Sequence, residues 1–155
     1  MKINAKLDGF DTLNKWLDDL KKLPINVAIE NVASKVREEA RARVPVDKGD
    51  LLKSIQYRMD YGKTKAVATV FSNLEYAIYV EFGTGPKGQE NHAGISPHIK
   101  PVYSVTGWTY YNERLQKFIS TTGQPARPFL YPALADNRQR YEKYIKEFVK
   151  RSFKK

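Results

Sequence analysis

Apolar residues recur along the first third of the chain at three- and four-residue steps. Phe10, Leu13, Trp16, Leu17, Leu20 and Leu23 form one stripe, with Asp11 or Thr12 placed to cap it and Pro24 to stop it. This predicts a short amphipathic helix. Before it, Ile3, Ala5 and Leu7 alternate in the manner of a brief edge strand. Ile25, Ile29, Val32, Val36 and Ala40 make a second stripe, with Glu30, Lys35, Arg37, Glu38, Arg41 and Arg43 on or beside its wet side. A helix over 25–43 follows, ended at Val44 because Pro45 disfavours helical geometry in the residue before it.

The period then shortens to two. In Val44-Pro45-Val46-Asp47-Lys48-Gly49-Asp50-Leu51-Leu52, Asp47 is placed to accept the amides just downstream, and Gly49 allows a tight turn. Leu51 and Leu52 anchor a single helical turn. Ile55, Tyr57 and Met59 begin a strand, Tyr61 to Thr64 is a loop, and Ala66 to Phe71 returns, which predicts a hairpin. Tyr76-Ala77-Ile78-Tyr79-Val80-Glu81-Phe82-Gly83 places apolar or aromatic residues on both parities. That pattern predicts an inner strand completing a three-stranded antiparallel meander. Within it, Glu81 needs either solvent or a cationic partner.

Residues 84–124 are broken by Gly85, Gly88, Gly94 and Gly107 and by Pro86, Pro97 and Pro101. Ile99 to Val105 and Gly107 to Tyr111 are expected to pair as an extended ribbon, with Asn112 to Ile119 a helical turn or part of a strand. A connection this long inside a small domain is usually functional or mobile. Pro125, Pro128 and Pro132 enforce an extended path that Phe129, Leu130 and Leu134 pin to the core. A last helix is expected from Pro132 or Asp136 to Phe153, with Leu134, Tyr141, Tyr144, Ile145, Phe148, Val149 and Phe153 on its apolar face. The predicted architecture is one α+β domain over residues 1–155, with an amphipathic helix packed on an antiparallel sheet. Residues 1–24 form an N-terminal helical arm, 85–123 a projecting loop or β-ribbon insertion, and the end of the chain a basic helix.

Composition adds two constraints. At 155 residues, with 41% hydrophobic and 28% charged, the chain fits one globular domain able to bury a core. It has no cysteine, which excludes disulfides and thiolate metal sites. There is no apolar signal core and no run of membrane-spanning length, so residence in a cytoplasm is expected. The net charge of +10 is uneven: residues 138–155 carry eight Lys or Arg against two Glu, whereas residues 1–62 carry twelve basic against ten acidic side chains. A basic terminus suits an anionic partner, though the same charge on a solvated face serves solubility.

No catalytic constellation emerges. Gly83-Thr84-Gly85-Pro86-Lys87-Gly88 has the spacing of a dinucleotide loop, but Pro86 removes an amide and no helix is expected after it. A flexible turn is the better reading. His92 and His98 lie six residues apart in the broken region, with Glu90 near and no third ligand, and read as exposed loop histidines. Glu75, Glu81, Asp47 and Asp50 each have a plainer role as strand-edge charge or turn cap. No serine has the glycine-flanked elbow of a hydrolase. Tyrosines beside basic residues (Tyr57–Arg58, Tyr110–Tyr111–Arg114, Tyr141–Lys143–Tyr144) suit base stacking, but on helices and strands they more often mark a core rim or protein interface. The chain is not expected to be an enzyme, and no cofactor or metal is expected.

Three segments resemble one family. Val44-Pro45-Val46-Asp47-Lys48-Gly49-Asp50-Leu51-Leu52-Lys53-Ser54-Ile55 is similar to its VPVDTGxLxxSI segment. Tyr76 to Gly85 resembles YAxYVEFGTG, and Ala126 to Leu134 resembles ARPFLRPAL. These are signatures of the tailed-bacteriophage tail-component family, the small neck or tail-completion proteins of siphophage-type virions and prophages. The sequence departs from the pattern at Lys48, where Thr is usual, and at Tyr131, where a basic residue is common. The resemblance spans about 25–150 and leaves 1–24 and 85–123 uncovered.

The resemblance implies a structural virion protein in a ring joining capsid connector to tail. Its scaffold positions in this chain are Pro45, Asp47, Gly49, Leu51, Tyr76, Tyr79, Glu81, Phe82, Gly83, Arg127, Pro128 and Phe129. Implied partners are further copies of the chain, the neighbouring connector or stopper and the tail-terminator or tail-tube proteins. DNA in the channel or an acidic partner is the expected contact of Lys146, Lys150, Arg151, Lys154 and Lys155. The implied location is the virion neck or tail, with the host cytoplasm during assembly. A small basic nucleic-acid-binding protein is the alternative, and a hydrolase or nuclease dependent on His92 or His98 is a distant third.

Overall fold

The structure is a computed structural model; it describes residues 25–152 except 46, 48, 63 and 64. The expected helix from Phe10 to Leu23, the edge strand at Ile3, Ala5 and Leu7, and Phe153, Lys154 and Lys155 lie outside the described residues. Helix α1 (Ile25–Arg43) has the predicted bounds and buries Ala28, Ala33, Val36 and Ala40. Three of these four are alanines, so neighbouring elements can approach its backbone closely. The strand pair packs on α1, as do the two helices near the end of the chain.

Helix α2 (Asp50–Ser54) is the expected single turn, with Leu51 buried. Its cap differs from expectation. Gly49 takes the cap position at φ +80°, no side chain caps the helix, and Lys53 N–H reaches the Gly49 carbonyl at 3.0 Å. Asp47 is exposed, so backbone geometry rather than its carboxylate closes this turn. Strands β1 (Ile55–Tyr61) and β2 (Ala66–Ser72) form the predicted hairpin, in register from Ile55 opposite Ser72 to Tyr61 opposite Ala66. Ser54 Oγ donates to or accepts from Ser72 Oγ at 2.7 Å, fastening α2 to the end of β2.

The predicted third strand is a helix, α3 (Ala77–Phe82), and among the described residues the sheet has two strands rather than a three-stranded meander. Ala77 and Glu81 are buried one turn apart and Val80 packs beside them, while Ile78 and Tyr79 are exposed. Outward-facing apolar residues filled both parities of the run and disguised the helical stripe. A second helix, α4 (Gly85–Glu90), follows at once.

The expected ribbon exists with a different pairing. Strand β3 (Trp108–Asn112) pairs with β4 (Lys117–Thr121), and residues 99–105 are irregular. Asn112 Oδ1 accepts the Leu115 amide at 3.0 Å, closing the turn that makes 117–121 the return strand. The single last helix divides into α5 (Leu130–Ala135) and α6 (Arg138–Ser152), separated at Asp136 and Asn137. Leu134, assigned to the apolar face, is half exposed. Tyr141 is buried, and Tyr144, Ile145, Phe148 and Val149 are partly buried, as the stripe requires. The core joins Val36, Ala40, Val44, Leu51, Ile55, Ala77, Phe129, Ala133 and Tyr141. Its two fully buried large side chains, Ile55 and Phe129, come from the first and third sequence motifs.

Candidate functional site

The second and third motifs meet at Glu81. Its side chain is on the buried face of α3, 5% exposed, and its carboxylate has neither solvent nor a cation as its main partner. Instead Oε2 accepts the amides of Phe129 at 2.7 Å and Leu130 at 2.9 Å, and Oε1 accepts that of Tyr131 at 3.0 Å. These are the free donors that open α5, and the next residue, Pro132, has no amide to satisfy. A carboxylate from a distant helix therefore completes this helix start, with favourable charge as well as hydrogen bonding.

Backbone contacts extend the junction on both sides. Arg127 N–H donates to the Val80 carbonyl at 2.8 Å, and Gln124 Nε2 donates to the Tyr79 carbonyl at 2.8 Å. Thr84 and Gln124 exchange amide bonds of 2.9 and 3.1 Å. The glycines make this approach possible. A Cβ on Gly83 would lie 2.7 Å from the Ala126 nitrogen and 2.8 Å from the Gln124 oxygen, and one on Gly85 would lie 2.7 Å from the Thr122 oxygen.

The glycine run is thus neither a flexible turn nor a phosphate loop. A helix precedes it where a strand was expected, and α4 occupies its second half where no helix was expected. The Lys87 amide is already bonded to the Thr122 carbonyl and the Gly88 amide to that of Thr84. Its glycines admit the return segment at 122–126.

Beside this junction runs an apolar groove of about 790 Å³. One wall is the outward face of α3, with Ile78 and Tyr79; the other is the irregular segment carrying Ile99 and Val102, and Trp108 closes an end. Tyr103 holds the second wall in place: its hydroxyl donates to the Phe82 carbonyl at 2.7 Å, and burial pushes its phenol above the ordinary value. On either side of this anchor, Val102 (98% exposed) and Val105 project outward.

The other sequence candidates divide clearly. Leu51 and Phe129 are core; Tyr76, Tyr79 and Phe82 line the groove; Gly83 and Arg127 form the junction, with Pro128 beside them; Pro45 is half-buried at the end of α1. Lys146, Lys150 and Arg151 are exposed on α6, and Arg151 lies 3.8 Å from Glu147. Among the tyrosines set beside basic residues, Tyr141 is core, Tyr57 packs under Arg37 on α1, and Tyr144 accepts an Asn31 amide beneath Lys35. Tyr110 and Tyr111 remain exposed on the ribbon. His92 and His98 are exposed, His92 bonding the Gln89 carbonyl at 2.6 Å. Among the described residues, no three His, Asp or Glu side chains gather as a metal site. No helix of the described residues is long and apolar enough to cross a membrane.

The sequence-based reading missed the groove and the capping role of Glu81. A helical reading of Ala77, Val80 and Glu81 would have signalled both, because it sets the carboxylate inward and Ile78 and Tyr79 outward.

The fold and its surface define a small α+β domain with a hydrogen-bonded internal junction and an exposed apolar groove. Residues 11–83 match the family model described as "Bacteriophage HK97-gp10, putative tail-component". The tail-component resemblance carried by the first two motifs therefore holds over that stretch, which is similar to a phage tail component. The third motif lies beyond the matched residues and is tied to them through Glu81. No curated protein and no solved structure matches the chain.

Proposed function

We propose that the chain is a non-catalytic subunit of the neck or tail-completion ring that joins the capsid connector to the tail. The family match supports the tail assignment. The observation that carries the finer reading is the division of the surface. The 85–123 insertion exposes Val102, Val105, Trp108, Tyr110, Tyr111 and Phe118, while Leu51, Ile55, Glu81 and Phe129 from the three motifs are buried in the core and junction. Apolar surface displayed on a ribbon beside a packed, hydrogen-bonded base suits docking to other subunits. Its partners in this reading are further copies of itself and the adjoining connector or stopper and tail-terminator or tail-tube proteins, met during assembly in the host cytoplasm.

Lys146, Lys150 and Arg151 give the ring a basic face for channel DNA or an acidic neighbour. The same face favours a second reading, a free nucleic-acid-binding protein. That reading requires salt-steep binding of DNA or RNA by the isolated monomer. Removal of the gene separates the two: full heads lacking tails are expected from the ring role. Normal infectious particles would reject it.

A further inference from the structure

The β3–β4 ribbon carries two apolar patches that strand alternation turns in opposite directions. Trp108, Tyr110 and Ile119 share one face, and Trp108 continues that face into the groove. Tyr111 and Phe118 stand opposite each other on the other face, in an edge-to-face contact with ring centroids 5.3 Å apart. Phe118 is 74% exposed and Tyr111 46%. A two-stranded ribbon has no interior in which to bury them.

The groove is lined by no Asp, Glu, Lys or Arg, in a chain of net charge +10. An acidic protein or a nucleic acid would be met by basic groups, and this chain gathers those on α6 instead. A like-charged second copy approaches most easily where charge is absent. We propose that the Tyr111–Phe118 pair of one copy fills the groove of the next. The proposal rests on the ring reading above and gives it a specific contact, an aromatic anchor in an apolar socket. Donor patch and socket are different surfaces facing opposite ways, so the contact is heterologous. It propagates head to tail and closes into a ring where the rotation permits.

The chain has no cysteine, so introduced thiols are unique. Val102→Cys places one on the socket wall and Ser120→Cys one on the donor face beside Phe118, both at exposed positions that leave the aromatic pair intact. The double variant is treated with a short thiol-to-thiol cross-linker, both as concentrated purified protein and in tailed particles. A ladder of trimers and longer species is expected, with each single variant staying monomeric. Dimers from Ser120→Cys alone would overturn the proposal, since they mark two ribbons meeting face to face. Absence of the ladder from particles that contain the protein would also overturn it, while leaving the ring reading in place. A ladder in purified protein together with absence of the protein from particles would support the contact and reject the virion role.

Discussion

Glu81 accepts the Phe129 amide at 2.7 Å across 48 residues of sequence, and both residues are buried. The bond joins the end of the family-matched segment to the start of α5. With the amides of Leu130 and Tyr131 on the same carboxylate, one side chain satisfies every free donor at that helix start.

Glu81→Ala leaves three amides, at least one fully buried, without a partner. A loss of about 3–5 kcal/mol is expected in chemical denaturation. Glu81→Gln retains one acceptor oxygen and turns an amide group toward the other donor position, so a loss of about 1–2 kcal/mol is expected. Equal, small losses in both variants would show that the cap contributes little.

Gly83 and Gly49 have nearly the same φ, +77° and +80°, in different surroundings. An added Cβ at Gly49 meets nothing within 4 Å, so Gly49→Ala is expected to destabilise by about 1 kcal/mol, from backbone strain alone. Gly83 has ψ 179°, a region nearly restricted to glycine, and its Cβ would collide with the 124–126 backbone. About 3 kcal/mol or more is expected for Gly83→Ala. Thermal and denaturant unfolding of the two variants checks the ordering.

Tyr103 donates its hydroxyl proton to Phe82, and burial raises its pKa above 10.0. The folded phenol is the weaker acid, so its contribution is complete below the unfolded value of 10.0 and is lost as pH rises through the higher folded value. The wild-type chain is therefore expected to lose more stability than Tyr103→Phe as pH rises through about 10. Parallel loss in the two proteins would remove Tyr103 as the source.

Charge reversal at Lys146, Lys150 and Arg151 touches an exposed face. Unfolding is expected to change by no more than about 0.5 kcal/mol per site, while particle assembly or DNA retention falls. Assembly and DNA retention at the wild-type level would assign these charges to solubility alone.

Much of the fold was legible because its signals were local. The stripe from Ile25 to Ala40 and its stop at Pro45 defined α1, and alternation from Ile55 to Phe71 defined the hairpin. Tyr76 to Gly83 was not legible as a helix because Ile78 and Tyr79 face outward, where their apolar side chains line the groove. Asp47 looked like a cap from spacing alone, yet Gly49 closes that turn through its backbone. The role of Glu81 depends on α5, which begins 49 residues later, and local periodicity carries no information about that pairing. The ribbon was expected, but its partner strand depended on the turn made by Asn112 and Leu115. Lys154 and Lys155 lie outside the described residues, and the groove arises only when the 99–108 segment folds back over α3.

The central claim is a structural place at the head–tail joint. Its most direct test is quantitative mass spectrometry of purified tailed particles, combined with cross-linking to connector and tail proteins. The account predicts this chain in fixed stoichiometry, cross-linked to itself and to proteins on both sides of the joint. Infectious tailed particles that lack the chain would contradict it.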